Sequence, residues 1–414
     1  MSPGLPLPAA AARAVSDALL EKLHKRIEQE GGCIPFDGFM AAALYEPGLG
    51  YYSNGLMPFG EQGDFVTAPE SGKLFGRCLA RCIASALEQL EQGVVMELGA
   101  GSGVLAVDLL DELKKLGALP ERYYILERSA AMRALQERRL KGQLPEFVQR
   151  VEWLDTLPED PINGVVFGNE VADALPVKRF RWHKGQVSEL GVGRQKKQLS
   201  VCERCGDQLQ KRVRQLARIG RWEGDYQSEL CPTLPAWINS LTDILAQGVL
   251  LLIDYGYGRA EYYHPQRSMG TLMCHYRHTA HDNPFWLPGL QDITAFVDFT
   301  AVAEAATAAG MRLEGFASQA RFLVSCGIDQ LMAEIDPSNT RQLVQLGNEA
   351  KRLMLPGEMG ERFKVIGFSR ELLQDVKVLV RRTCAVVYKI RISLFSEVPV
   401  CTGMLVVLVA LFHG

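Results

Sequence analysis

The stretch Gly93-Val-Val-Met-Glu-Leu-Gly-Ala-Gly-Ser-Gly103 decides how the rest of this chain is read. Its apolar run, 94–98, is too short for an amphipathic helix and is bracketed by glycine, so it reads as a buried parallel strand. Gly99, Gly101 and Gly103 follow on alternate positions, where a Cβ would block positive φ angles or the close approach of a ligand to the main chain. The spacing of Leu105, Leu109 and Leu110 then predicts a helix over about 104–115. Strand, glycine turn and helix N-terminus together form a crevice suited to a nucleoside cofactor.

What is missing narrows the cofactor. A dinucleotide fingerprint requires a third glycine where Val104 stands, and the Gly-Lys-Ser/Thr of a phosphate loop is absent. G-x-G-x-G with an acid two residues ahead, here Glu97, is the form associated with S-adenosyl-L-methionine. That cofactor has no pyrophosphate, so the glycines instead admit its methionine and ribose portions. A second buried-strand pattern, 122–127, ends in Glu127, 28 residues beyond Gly99. A carboxylate at that tip can accept hydrogen bonds from both ribose hydroxyls. A third strand is expected over 147–153, with Asp155 just past its end, either receiving the adenine amino group or capping a turn.

A fourth apolar run, 162–167, leads into Gly168-Asn-Glu-Val-Ala-Asp-Ala-Leu-Pro176. It places Asn169, Glu170 and Asp173 at a strand's carboxyl end, where open α/β sheets bind ligands. A helical turn would put Glu170 and Asp173 on one face. Two carboxylates beside a methyl donor suit a cationic acceptor such as guanidinium, whose planar fork pairs with carboxylate. The competing reading is an acidic first helical turn favoured by the helix dipole. A fifth strand, 248–257, again carries an acid near its end, and 311–324 with 362–368 can close the sheet as an antiparallel pair. The fold class is therefore α/β, a mostly parallel sheet with a terminal antiparallel hairpin.

Composition fits a large soluble enzyme: 47% of 414 residues are hydrophobic, enough for one elaborated domain or two. A formal net charge of −3 and pI near 6.2 argue against a nucleic-acid partner held by a general positive field. Lys211, Arg212, Arg214, Arg218 and Arg221 read as a solvated helix face. Ten cysteines lack the spacing of a disulfide framework and no secretory signal opens the chain, which places the protein in a reducing cytoplasm. Cys202-Glu-Arg-Cys205 is a lone C-x-x-C, and no metal site is expected.

The organisation expected is an N-terminal helix and lid region (1–90), a first core part (91–184), an inserted subdomain of hairpin and helices (185–240), a second core part (241–370) and an extension (371–414). The stretch 35–75, dense in Gly, Pro, Tyr and Phe, is too aromatic for a linker and can fold over the cofactor as a lid. In the extension, 398–412 is apolar but shorter than the roughly 20 residues a spanning helix needs, so no stable membrane span is expected.

Several blocks resemble the MidA family of class I S-adenosylmethionine-dependent methyltransferases, which includes the mitochondrial complex I assembly factor. They are Phe39-Met-Ala-Ala-Ala-Leu-Tyr-Glu-Pro-Gly-Leu-Gly-Tyr-Tyr52, Gly63-Asp-Phe-Val-Thr-Ala-Pro-Glu70, the glycine turn, Asn169 to Pro176, Ile253-Asp-Tyr-Gly-Tyr257 and Pro288-Gly-Leu-Gln-Asp-Ile-Thr-Ala-Phe-Val-Asp-Phe299. The resemblance runs from about 31 to 370 and implies a Rossmann-like class I core. It also implies methylation of a protein arginine, with a subunit of the respiratory NADH dehydrogenase as substrate in mitochondrial members. Within these blocks Asp292 and Asp298 are lesser acceptor-side candidates, each equally readable as a cap or a buried hydrogen-bond partner. An assembly role with methylation secondary and a small-molecule acceptor remain alternatives, and oligomeric state is left open.

Overall fold

The computed structural model describes residues 5–56, 67–336 and 338–376. Part of the expected lid block (63–66) and the apolar run 398–412 lie outside them. Seven strands build the central sheet: β1 Val94–Leu98, β2 Tyr123–Leu126, β3 Val151–Leu154, β4 Ile162–Asn169, β5 Leu245–Tyr257, β6 Arg312–Ser318 and β7 Phe363–Arg370. Their order is β3-β2-β1-β4-β5-β7-β6, parallel except for β7, which runs antiparallel to both neighbours. The two-residue strand Val297–Asp298 pairs with the far end of β5.

The continuous apolar strands are explained by burial on both faces. Side chains alternate along each strand. Val95, Val165, Phe167, Leu251 and Ile253 enter one core with helices Leu74–Leu87 and Val104–Lys115. Met96, Leu98, Val166, Leu250 and Leu252 enter the other with helices Leu234–Asp243 and Phe299–Ala308.

Two corrections concern element ends. Residues 147–150 belong to a 3-10 turn, Pro145–Arg150, and β3 begins only at Val151; Phe147 is apolar because it anchors that turn in the core. β6 stops at Ser318 and a helix follows, Gln319–Ser325, whose Phe322 and Leu323 pack into the same core.

Beside the main sheet, Lys178–His183, Gln186–Gln195, Gln198–Cys205 and Tyr226–Leu230 form an antiparallel sheet that also takes in Cys33–Pro35. It thus begins before residue 185 and borrows a strand from the N-terminal region. Cys33 and Cys202 lie on opposite sides of Gln186–Gln195, in register with Gly193 and Gly191. They form a disulfide, with 6.3 Å between Cα atoms. A Cβ on Gly191 would come within 2.9 Å of the Cys33 sulfur, so glycine there lets the bridge pass over the strand. The bridge is not expected from cysteines that lack the spacing of a disulfide framework. The preceding helices, Ala10–Gln29 and Phe36–Tyr45, bury Leu19, Leu23, Phe39, Met40 and Leu44 against Ala174, Val177, Ile293 and Ala295. Among the described residues no helix is long and apolar enough to cross a membrane.

At the base of the sheet Val94, Gly164 and Gly248 stand side by side on β1, β4 and β5. A Cβ on Gly164 would lie 2.1 Å from the Val94 carbonyl oxygen, and one on Gly248 would lie 1.8 Å from the Gly164 carbonyl oxygen. Gly164→Ala is therefore expected to lower unfolding free energy by about 1–3 kcal/mol, through overpacking against main chain that cannot yield. Denaturant unfolding checks this, and wild-type stability in the variant would refute the close seam.

Candidate active site

β1 delivers its chain into a turn in which Gly99, Gly101 and Gly103 all have positive φ, at 64°, 51° and 80°. The three positions are not equivalent. A Cβ on Gly99 would meet Val171 at 3.3 Å and one on Gly103 would meet Gln136 at 3.2 Å, whereas one on Gly101 would meet nothing within 4 Å. Gly99 and Gly103 thus let protein pack on protein, while Gly101 presents bare main chain to open space. Fully buried Gln136 locks the arrangement. It donates to the Gly101 carbonyl at 2.8 Å and to Glu127 at 3.3 Å, and accepts from the Trp153 indole at 2.8 Å, joining the tips of β1, β2 and β3.

Glu127 follows β2 and is half-buried, accepting from the Ser129 main-chain N–H at 2.9 Å. Burial raises its carboxyl above the usual range, against those hydrogen bonds. Glu97 lies beneath the turn, 2% exposed, and accepts from the Tyr123 hydroxyl at 2.6 Å. Burial, with the charge of Glu127 adding to it, pushes Glu97 up to about 7. Asp155 is an outer residue, 77% exposed at its side chain and paired with Arg133 at 2.6 Å. The sequence did not single out Ser102, which is buried beside Glu70 and receives a hydrogen bond from Arg139 at 3.1 Å. This contact joins the Pro69–Ser71 turn to the glycine turn.

On the next strand over, β4 ends in Asn169 and the chain turns sharply at Glu170, whose φ is 55°. The helical turn expected between Glu170 and Asp173 is absent: a left-handed residue at the strand end starts an irregular loop, and the Glu170 N–H is held by the Ile253 carbonyl at 2.9 Å. The two carboxylates are still brought within electrostatic reach. Glu170 accepts from the Tyr255 hydroxyl at 2.8 Å and the Asn169 amide at 3.0 Å. Burial outweighs these bonds and raises it to about 7. The buried Oδ1 of Asn169 has no partner among the described residues.

Asp173 is 3% exposed and faces a neighbour that the sequence marked only as a strand-end acid, Asp254 on β5. Asp254 accepts main-chain N–H groups from Ala172 at 2.9 Å, Asp173 at 3.2 Å and Tyr255 at 2.9 Å. Desolvation raises both carboxyls, and Asp173 also feels Asp254, Asp292 and Glu170. Three N–H donors support the charge of Asp254, so the upward push is the stronger on Asp173. Asp292 completes the cluster, 1% exposed, accepting from the Tyr52 hydroxyl at 2.9 Å. Asp298 does not join it. Its carboxylate caps helix Phe299–Ala308 and pairs with Arg259 at 3.0 Å.

The site is therefore a turn with bare main chain and a half-buried carboxylate, Glu127, next to a cluster of buried carboxyl groups, Glu170, Asp173, Asp254 and Asp292. The chain resembles the structure of a Burkholderia thailandensis protein bound to S-adenosyl-homocysteine, with 41% identity and a TM-score of 0.88 over 93% of this chain and 100% of that one. It also resembles curated proteins named protein arginine methyltransferase NDUFAF7, mitochondrial. The Rattus norvegicus protein is 29% identical over 388 residues, 83% of each chain. The Drosophila melanogaster homolog is 28% identical over 405 residues, 88% of each. These relatives overturn the cytoplasmic placement drawn from the cysteines, since they are mitochondrial by name. A family model described as "Putative S-adenosyl-L-methionine-dependent methyltransferase" matches residues 78–317, and the chain belongs to that family of S-adenosyl-L-methionine-dependent methyltransferases.

Proposed function

We propose that this methyltransferase transfers its methyl group to the guanidinium of an arginine in a protein substrate. The observation that carries the reading is the cluster of four buried carboxyl groups, Glu170, Asp173, Asp254 and Asp292, whose loop reaches the glycine turn through Val171. Such a cluster repels anions and favours a cation that brings several N–H donors. The curated relatives named protein arginine methyltransferases support the same acceptor. A subunit of the respiratory NADH dehydrogenase, implied by the family resemblance, is the narrower substrate proposal.

The residues present fit S-adenosyl-L-methionine. Gly101 leaves main chain uncovered where a nucleoside would lie, and Glu127 keeps lone pairs for ribose hydroxyls. Gly99 and Gly103 hold the turn, Glu97 supports it from below, and Asp155, exposed and paired with Arg133, is the residue assigned to the adenine amino group. When bound, the cofactor supplies an electrophilic methyl on a sulfonium sulfur.

The protein's part is alignment and charge management, with no covalent enzyme intermediate. Asn169 offers its unpartnered Oδ1, and Glu170 and Asp173 take guanidinium N–H groups, fixing which nitrogen points at the methyl. As a nitrogen–carbon bond forms and the sulfur–carbon bond breaks, one proton must leave that nitrogen. Glu170, held near neutrality by burial, is placed to receive it and pass it to solvent.

Because Glu170 is raised to about 7, its ionised form is lost as pH falls through that value. The acceptor kcat/KM is expected to drop about tenfold per pH unit below about 7. Glu170→Gln should abolish this limb and reduce turnover by about 100-fold, with S-adenosyl-homocysteine affinity unchanged by calorimetry. A limb that persists in the variant would remove Glu170 from the proton step. For the acceptor class, tritiated-methyl S-adenosyl-L-methionine with lysate of cells lacking this chain should label protein; label confined to small molecules would overturn the reading.

A further inference from the structure

Two tyrosines of the N-terminal segment reach the carboxylate cluster. The Tyr45 hydroxyl donates to the Ala174 carbonyl at 2.9 Å, one residue beyond Asp173. The Tyr52 hydroxyl donates to Asp292 at 2.9 Å. Their rings stack, with centroids 5.6 Å apart and planes 24° apart, so the pair links Ala174, the neighbour of Asp173, with Asp292. Tyr45 nevertheless remains 44% exposed, an aromatic surface left uncovered although its hydroxyl end is anchored.

The wall is held from behind. Asn54 donates to the Gly289 carbonyl at 2.7 Å, and the Ala295 N–H donates to the Asp173 carbonyl at 3.0 Å. The Asp292–Thr294 strand that carries Asp292 pairs with Met273–Tyr276. Phe39, Met40 and Leu44 pack this side of the pocket against Ile293 and Ala295. Tyr52 also packs against the core on this side, whereas Tyr45 is exposed, and a ring placed for packing alone would be covered.

Stacked aromatic faces beside carboxylates discriminate among cations. A planar guanidinium can lie flat on a ring while its edge N–H groups meet carboxylate oxygens, a combination a tetrahedral ammonium cannot make. Resting on the arginine reading above, we propose that Tyr45 and Tyr52, with Asp292 fixed by the Tyr52 hydroxyl, form the specificity-determining wall that selects a planar guanidinium over a lysine ammonium. The ring face of Tyr45 supplies the stacking surface and Asp292 the edge-on carboxylate, opposite Glu170 and Asp173.

The test uses the full-length chain, labelled S-adenosyl-L-methionine and lysate protein from cells lacking this chain. Methyl-arginine and methyl-lysine are counted after hydrolysis as total lysate protein is varied. Tyr45→Phe keeps the ring but loses the bond to Ala174, so its product ratio should lie nearer wild type than that of Tyr45→Ala. Tyr45→Ala and Asp292→Asn should raise the apparent KM about tenfold and increase the share of methyl-lysine, while S-adenosyl-homocysteine affinity and thermal midpoint stay at wild-type values. Asp292→Asn is isosteric and still accepts from Tyr52, so it carries the test if Tyr45→Ala fails to fold. Wild-type KM and product ratio in Asp292→Asn, or in a folded Tyr45→Ala, would overturn this inference alone. Label absent from arginine in the wild type would overturn the arginine reading beneath it.

Discussion

The site depends on one piece of main-chain geometry, the run of left-handed residues that turns β1 into helix Val104–Lys115. Three positive φ angles in five residues cost an ordinary residue roughly 1–2 kcal/mol each, so only glycine holds the turn without strain. Glycine is floppy, however, and the turn has to be fixed from outside. Gln136 does this from a helix about 35 residues on, using one amide to hold Gly101 and Glu127 and its carbonyl to hold Trp153. The tips of three strands are thereby set relative to one another before any ligand arrives.

The second constraint is electrostatic. Four carboxyl groups crowd the ends of β4 and β5 and the adjoining strand at Asp292, in a place too dry for all of them to be charged. The fold meets part of the desolvation cost with three main-chain N–H groups at Asp254 and with tyrosine hydroxyls at Glu170 and Asp292. The remainder is relieved by holding protons, which a cationic acceptor would displace. Stability given up in this way is typical of a binding pocket awaiting its partner.

Much of this was legible in the residues. Buried strands announce themselves as short apolar runs, and a glycine trio after one of them has few structural meanings, so β1, β2, β4, β5 and the turn were all readable. β3 was misplaced at its start because Phe147 and Val148 look alike in a strand and in a 3-10 turn anchored by one aromatic. The end of β6 was missed because Phe322 and Leu323 continue an apolar stretch that changes period from two to helical. Asn169, Glu170 and Asp173 were singled out by position, and the structure brings Glu170 and Asp173 near one another without the helical turn expected of them. Asp254 could have been ranked higher, since it ends a strand adjacent to β4. The contact of Tyr52 with Asp292, separated by 240 residues, and the crossing of Gln186–Gln195 by the Cys33–Cys202 bridge are tertiary facts with no local signal.

The central claim is that Gly101, beyond the positive φ it shares with its neighbours, is glycine for the sake of the cofactor. Calorimetric binding of S-adenosyl-homocysteine to Gly101→Ala and Gly103→Ala, each with its thermal midpoint, tests it most directly. Gly101→Ala should stay folded and lose only the roughly 1–2 kcal/mol of its positive φ, because its Cβ meets nothing, yet bind at least about 100-fold more weakly. Gly103→Ala should lose stability first, through Gln136. Wild-type affinity in Gly101→Ala would contradict the account.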